Sequence, residues 1–97
     1  MENQHRRISG YRELSQAEID LMNKIKALGP QIESIIVEAQ KHILAQRQAL
    51  SDPHPFNQEE FQRLEDATPE RFAALAKTDL QTGLMHLTRS IAQPTFF

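Results

Sequence analysis

A helix start signal at Ser15 is the sequence feature that most constrains this fold. Ser15 and Glu18 have the spacing of a capping box, in which each side chain satisfies a backbone amide of the other residue, and Leu14 precedes them as a hydrophobic staple. Apolar residues then recur at helical spacing, at Ile19, Met22, Ile25 and Leu28. We therefore predict a basic, non-helical arm over residues 1–14 and a helix from residue 15.

Gly29 and Pro30 interrupt this helical pattern. Glycine weakens a helix, and proline removes one backbone donor and clashes with the preceding turn, so the pair predicts a kink or a short break. Helical spacing then resumes at Ile32, Ile35, Ile36, Ala39, Ile43 and Leu44. The two patterns together predict one kinked helix over residues 15–50.

Two further helix starts follow a predicted loop over residues 51–57, which holds two prolines within three residues. Asn57 with Glu60 forms a second capping box, and Thr68 before Pro69 is a third start, because proline is favoured at the first helical position. An apolar stripe then runs through Phe72, Leu75, Ala76, Leu80, Leu84, Leu87 and Ile91, ending at Pro94.

Nowhere does the chain alternate apolar and polar residues as a strand would. We predict an all-α fold, one helical domain over residues 1–97, in which the kinked N-terminal helix packs against C-terminal helices in residues 58–94. A chain of 97 residues builds only a marginal core by itself.

Two features favour a homo-oligomer. Ile35, Ile36 and Val37 spread apolar side chains about 200° around their helix, more than one antiparallel partner would cover. In the last helix the apolar residues 80, 84, 87 and 91 alternate spacings of four and three, as in a helix–helix seam, and Gly83 beside them lets another backbone approach. The alternative is a single hairpin with a large core, which has few ways to cover this surface.

Composition excludes several classes of function. A net charge of −2 and a pI near 6.1 oppose bulk electrostatic binding to DNA. Without cysteine there is no disulfide and no thiolate metal site, and a reducing cytosol fits. No apolar run approaches the roughly 20 residues of a membrane span, and no secretory signal is present.

The residue types that carry catalysis form no catalytic pattern. The four histidines never stand at metal-site spacing with an acid, the three glycines are scattered, and no serine lies in a nucleophile elbow. We therefore predict no enzyme activity, no metal and no cofactor.

Several cations lack an obvious local partner. Lys24 has Asp20 four residues before it, whereas Lys26 has only uncharged neighbours at helical spacing and lies at the edge of the apolar stripe. Such a lysine either extends its amine to solvent past apolar neighbours or meets an external anion. Arg89 suits the carboxyl end of its helix, but Arg71 lies in a first turn, where the helix dipole disfavours a cation and an incoming phosphate would be stabilised. Each of these cations also has a plain surface role as an alternative.

Two blocks of sequence resemble the phage anti-CBASS protein two family. They are HRRISGYRELSQAEIDLMNKIKALG, residues 5–29, and TDLQTGLMHLTRSIAQP, residues 78–94. CBASS is a bacterial defence in which an infected cell makes cyclic oligonucleotides that trigger its own death. The resemblance implies a sponge, a phage protein that binds these signals in the cytoplasm of the infected host without cleaving them.

The resemblance also implies an assembly and binding residues. It implies a compact homohexamer with pockets for cyclic dinucleotides between protomers and separate pockets for cyclic trinucleotides. Tyr11 matches the tyrosine that stacks on a base, Lys26 the lysine that meets the phosphates, and Arg89 an arginine that completes the pocket. Arg71 is matched to the trinucleotide pocket. Taken alone, Tyr11 could equally anchor a core.

Two other functions stay open at this point. A helical module that binds another protein would explain the helices and the seam, but not Lys26 and Arg71. A phosphodiesterase that degrades the same signals is disfavoured, because the sequence holds no metal constellation.

Overall fold

Three α-helices make up the computed structural model, which describes residues 13–51 and 56–96. They are α1, Gln16–Ser51, α2, Gln58–Ala67, and α3, Pro69–Ala92. The described residues contain no strand, which confirms the all-α prediction for this part of the chain. The predicted helix over residues 15–50 agrees with α1 to within one residue at each end. The predicted arm lies mostly outside the described residues.

The capping box at the start of α1 is confirmed in both directions. The backbone N–H of Ser15 donates to Oε1 of Glu18 at 2.8 Å, and the N–H of Glu18 donates to Oγ of Ser15 at 3.2 Å. The N–H of Ile19 donates to the Ser15 carbonyl at 3.0 Å, which is the first bond of the helical ladder. A signal that spans only four residues therefore sets where this helix begins.

The predicted short break at Gly29 and Pro30 does not occur, since α1 continues through both residues as one helix of 36 residues. Proline lacks a backbone donor, but its ring holds φ near the helical value, so the helix resumes directly after the lost bond. A kink within this continuous helix stays a prediction.

The start of α2 and the corner between α2 and α3 follow local signals. The Asn57 side chain accepts a hydrogen bond from the N–H of Glu60 at 3.0 Å. Thr68 adopts the left-handed conformation with φ of 44°, and its N–H donates to the Leu64 carbonyl at 3.0 Å, which ends α2. Pro69 is the first residue of α3, as predicted.

The helices divide into two compact units. The first comprises the described parts of Met1–Pro30 and Gln81–Phe97, and the second is Gln31–Leu80. Ile25 is the buried hydrophobic residue of the first unit, and Leu50 and Leu64 are those of the second.

An arginine joins all three helices within the second unit. Arg47 of α1 donates through Nε and Nη2 to both carboxylate oxygens of Glu70, at 2.7 and 3.0 Å, and through Nη1 to Glu65 at 2.8 Å. The Arg47 guanidinium lowers the pKa of the Glu70 carboxyl, and the Glu70 carboxylate raises the pKa of Arg47. We call these three residues the Arg47 cluster.

Many large apolar side chains of the described chain stay exposed. Ile35 is 66 % exposed and Met85 is 71 % exposed, whereas core residues of a self-sufficient domain would be covered. The others are Leu21, Leu28, Val37, Leu44, Phe56, Phe72, Leu75, Leu80, Leu87 and Phe96. Several of them belong to the two surfaces from which the sequence predicts assembly.

Candidate functional site

A groove of about 770 Å³ lies within the first unit, between the amino-terminal part of α1 and the carboxyl-terminal part of α3. Its volume is in the range of small-molecule binding sites, which is about 300–1,000 Å³. We call this site the groove; its lining residues are Met22, Asn23, Ile25, Lys26, Gly29, Leu84, Met85, Thr88, Arg89, Ala92 and Pro94.

Helical periodicity brings these residues together. On α1 the lining residues recur three and four positions apart, so that they share one face of the helix. On α3 the lining positions 84, 85, 88, 89 and 92 repeat in the same way. Each wall of the groove therefore follows from the 3.6-residue repeat of its own helix.

The walls of the groove are largely apolar. Ile25 is buried at its base, and the exposed Met85 presents a flexible thioether that adapts to aromatic rings. Gly29 leaves open space, because a Cβ built on it would meet no atom within 4 Å. An apolar, partly open surface of this kind suits the flat face of an aromatic ring.

Two cations line the groove, and both were predicted from the sequence. Lys26 lies on α1 and Arg89 lies on α3, 63 residues apart in the sequence. No aspartate or glutamate is among the described residues that line the groove. Lys26 forms no ion pair with any residue in the described part of the chain. Among its described lining residues the groove therefore presents two positive charges and no negative one, which is a charge pattern that favours an anion.

Arg89 is held on one side by the chain that follows α3. Its Nη2 donates a hydrogen bond to the Phe96 carbonyl at 2.8 Å, and its own carbonyl accepts one from the N–H of Gln93 at 2.8 Å. A guanidinium has five N–H donors, so this contact leaves several of them for a ligand.

Lys24 does not line the groove, although it lies only two residues from Lys26. Asp20, the local partner suggested by the sequence for Lys24, instead accepts a 2.9 Å hydrogen bond from Nε2 of Gln16. Two lysines of the same helix therefore have different surroundings, and Lys24 is a matched control for Lys26.

Arg71 is not among the residues that line the groove. Tyr11 lies outside the described residues. Arg71 lies in the second unit, as the third residue of α3, and its guanidinium carbon is 5.7 Å from the centre of the Phe72 ring. This cation–π contact gives Arg71 a favourable neighbour, which the sequence analysis did not predict.

Sequence reasoning also missed two polar residues of the groove. Asn23 stands three positions before Lys26 and so shares its helix face, a signal that was available in the sequence. Thr88 directly precedes Arg89, and its hydroxyl donates to the Leu84 carbonyl at 3.0 Å, which leaves the oxygen able to accept a hydrogen bond.

The described residues hold no group of three or more potential metal ligands among His, Cys, Asp and Glu. Within the same ranges, no helix is long and apolar enough to cross a membrane.

A family model and a phage protein both match this chain. Residues 4–92 match the family model described as "Acb2/Tad1, hairpin domain". A protein of Pseudomonas phage JBD67 named Anti-CBASS protein 2 is 44 % identical over 105 residues, an alignment that covers 97 % of this chain and 97 % of that protein. The family match spans every residue that lines the groove except Pro94.

Proposed function

This chain belongs to the Acb2/Tad1 hairpin domain family, and we propose that it is a phage anti-defence sponge for cyclic nucleotide signals. In this proposal the protein binds a cyclic dinucleotide in the groove and keeps it from the CBASS machinery without cleaving it. The site of action is the cytoplasm of the infected host, where such a signal is made.

The observation that carries this proposal is the pairing of Lys26 with Arg89 across an apolar groove. A cyclic dinucleotide offers two negative phosphates and two flat base faces. The two cations suit the phosphates and the apolar walls suit a base. Tyr11 is proposed to stack on a base, on the strength of the family resemblance.

Known interaction strengths are sufficient for tight sequestration. One base–aromatic stack contributes about 1–3 kcal/mol, and one charge-assisted hydrogen bond about 1.5–3 kcal/mol. Two protomers that share one ligand double these contributions, so that nanomolar binding, about −12 kcal/mol, is within reach if the groove is preformed.

Retention rather than cleavage suits the lining of the groove. Hydrolysis of a phosphodiester needs a positioned general base or a metal ion. The described lining holds neither a carboxylate nor a histidine. Binding by cations and apolar walls alone is what a sponge requires.

A second site for cyclic trinucleotides is proposed at Arg71. This guanidinium is exposed in the first turn of α3, where the positive end of the helix dipole favours an anion. Three copies of the chain around a three-fold axis would present one arginine to each phosphate of a three-fold ligand.

The assembly is proposed to be a homohexamer that covers the exposed apolar residues, with contacts from α3 and from the surface at Ile35–Val37. Ile35 is 66 % exposed and Leu87 is 45 % exposed, and both lie on the predicted assembly surfaces. Light scattering at micromolar concentration should give a mass several times 11.2 kDa. A monomeric mass would contradict the assembly.

One experiment separates the sponge from its alternatives. The protein is incubated with cyclic di-AMP, freed of unbound ligand, denatured and analysed by chromatography. Recovery of intact ligand supports the sponge, and recovery of linear product supports a phosphodiesterase. No retention would leave the exposed apolar faces as evidence for a protein-binding module instead.

A further inference from the structure

We propose that the chain after α3 is a positioning element for the groove. Residues Gln93–Phe96, which we call the hook, hold the Arg89 side chain in the orientation that meets a ligand phosphate. This inference rests on the proposed function, because the binding role of Arg89 belongs to that proposal.

The hook begins with a reversal of the chain at Gln93. Gln93 has a φ of 54°, in the left-handed region that residues with a Cβ rarely adopt. Its N–H donates to the Arg89 carbonyl, and its Nε2 donates to the Ser90 carbonyl at 3.1 Å. Pro94 follows with its fixed φ, which narrows the directions that the returning chain can take. The reversal brings the chain back beside the helix that it has just left.

The returning chain contacts the Arg89 guanidinium. The Phe96 carbonyl accepts the 2.8 Å hydrogen bond from Nη2 of Arg89. A separate cavity of about 460 Å³ is lined by Arg89, Pro94, Thr95 and Phe96. Arg89 and Pro94 therefore border both this cavity and the groove, so that the hook and the groove meet at the arginine.

The chemistry of this contact favours positioning over competition with the ligand. A carbonyl is neutral, so the guanidinium keeps its full charge, and among the contacts of the described residues this bond uses a single one of its five N–H donors. An unsupported arginine samples many rotamers and must be ordered when a phosphate binds, which weakens affinity. A guanidinium already held by the hook avoids much of that ordering.

Substitution at Gln93 tests the hook without changing a residue that lines the groove. Gln93→Val places a β-branched residue before proline, where the left-handed conformation is strongly disfavoured. Gln93→Gly is the matched control, because glycine adopts this conformation readily. We expect Gln93→Val to weaken the binding of cyclic di-AMP about two- to fivefold, less than the loss of the Arg89 side chain itself, and Gln93→Gly to keep the wild-type Kd.

A second variant covers the case in which Gln93→Val fails to fold. Replacement of residues 95–97 by Gly-Ser-Gly keeps the chain length and keeps Pro94, which lines the groove, while it removes the Thr95 and Phe96 side chains that border the second cavity. It should weaken binding by a similar factor. NMR of the Arg89 guanidinium in the ligand-free protein should show slower side-chain motion in the wild type and in Gln93→Gly than in the two disrupted variants.

The outcomes distinguish the hook from the function on which it rests. If the wild type fails to bind cyclic di-AMP, the proposed function fails, and the role of the hook fails with it. If the wild type binds and the disrupted variants bind equally well or more tightly, the positioning role alone is overturned.

Discussion

Two arginines, one in each unit of this molecule, have different electrostatic surroundings. In the second unit, Arg47 meets the carboxylates of Glu65 and Glu70 through three hydrogen bonds. In the first unit, Arg89 meets only the neutral Phe96 carbonyl among the contacts described for its guanidinium. Both arginines line a cavity. The cavity alone therefore does not show which arginine serves a ligand.

The charges around each arginine distinguish a structural role from a ligand-binding role. The Arg47 cluster has one positive and two negative charges, so a phosphate that approached it would be repelled by the carboxylates and would have to displace them. The groove has two positive charges and no carboxylate among its described lining residues. An arginine saturated by carboxylates joins helices, and one that is not saturated remains available to an anion.

The largest effect on ligand binding is expected at Arg71, a third arginine whose described contact is an aromatic ring and not a carboxylate. If three copies bind one cyclic trinucleotide, Arg71→Ala removes three charge-assisted contacts at about 1.5 kcal/mol each, which weakens binding about a thousandfold. Calorimetry should show this loss while the dinucleotide titration stays normal. Loss of both ligands with the oligomer intact would contradict the two-site proposal.

A smaller effect, about a hundredfold, is expected for dinucleotide binding in Lys26→Ala. Two protomers would each lose one contact of about 1.5 kcal/mol to the phosphates. Tyr11→Ala should also lose most binding while the assembly stays intact. Lys24→Ala is the control, since Lys24 does not line the groove. Equal losses in the two lysine variants would show that the assignment of helix faces is wrong.

Arg89→Ala and Arg47→Ala together test the distinction between a ligand-binding arginine and a structural one. Arg89→Ala should weaken dinucleotide binding about tenfold, less than Lys26→Ala, because the negative end of the α3 dipole opposes a phosphate near Arg89. Arg47→Ala should lower the urea midpoint, because it leaves two carboxylates facing each other, and should keep the dinucleotide Kd. Calorimetry and urea titration measure the two effects. Weaker binding in Arg47→Ala with an intact fold would remove the distinction between the two arginines.

The parts of this structure that were predictable from the sequence have short-range causes. The capping box at Ser15 spans four residues, and the helix start at Pro69 depends on one proline. Lys26 was singled out because its helical neighbours are uncharged, and the structure places it in the groove with Arg89. Such features follow from local backbone chemistry or from the repeat of one helix.

The features that sequence analysis missed depend on distant contacts or on backbone conformation. Arg47 finds its partners 18 and 23 residues away, and no periodic pattern links such positions. Gln93 adopts a left-handed conformation without being a glycine, so no composition signal marks the hook. Of the kink or short break expected at Gly29 and Pro30, the break is absent because proline removes a hydrogen bond without leaving the helical range of φ, and the kink stays a prediction.

The smallest expected effect is the acid sensitivity of the Arg47 cluster. The Arg47 guanidinium holds the pKa of the Glu70 carboxyl below its ordinary value of 4.5. A carboxyl with a lower pKa in the folded state stabilises the fold above pH 4.5, and this contribution is lost as the pH falls through the folded-state pKa. Both side chains are partly exposed, so solvent screens the pair and keeps the effect small. Glu70→Gln should therefore flatten the fall of the urea midpoint below pH 4.5. Glu33→Gln, which removes an exposed carboxylate of α1, is the control and should keep the wild-type dependence of the urea midpoint on pH. The same dependence in Glu70→Gln would show that the Arg47 cluster contributes nothing to acid stability.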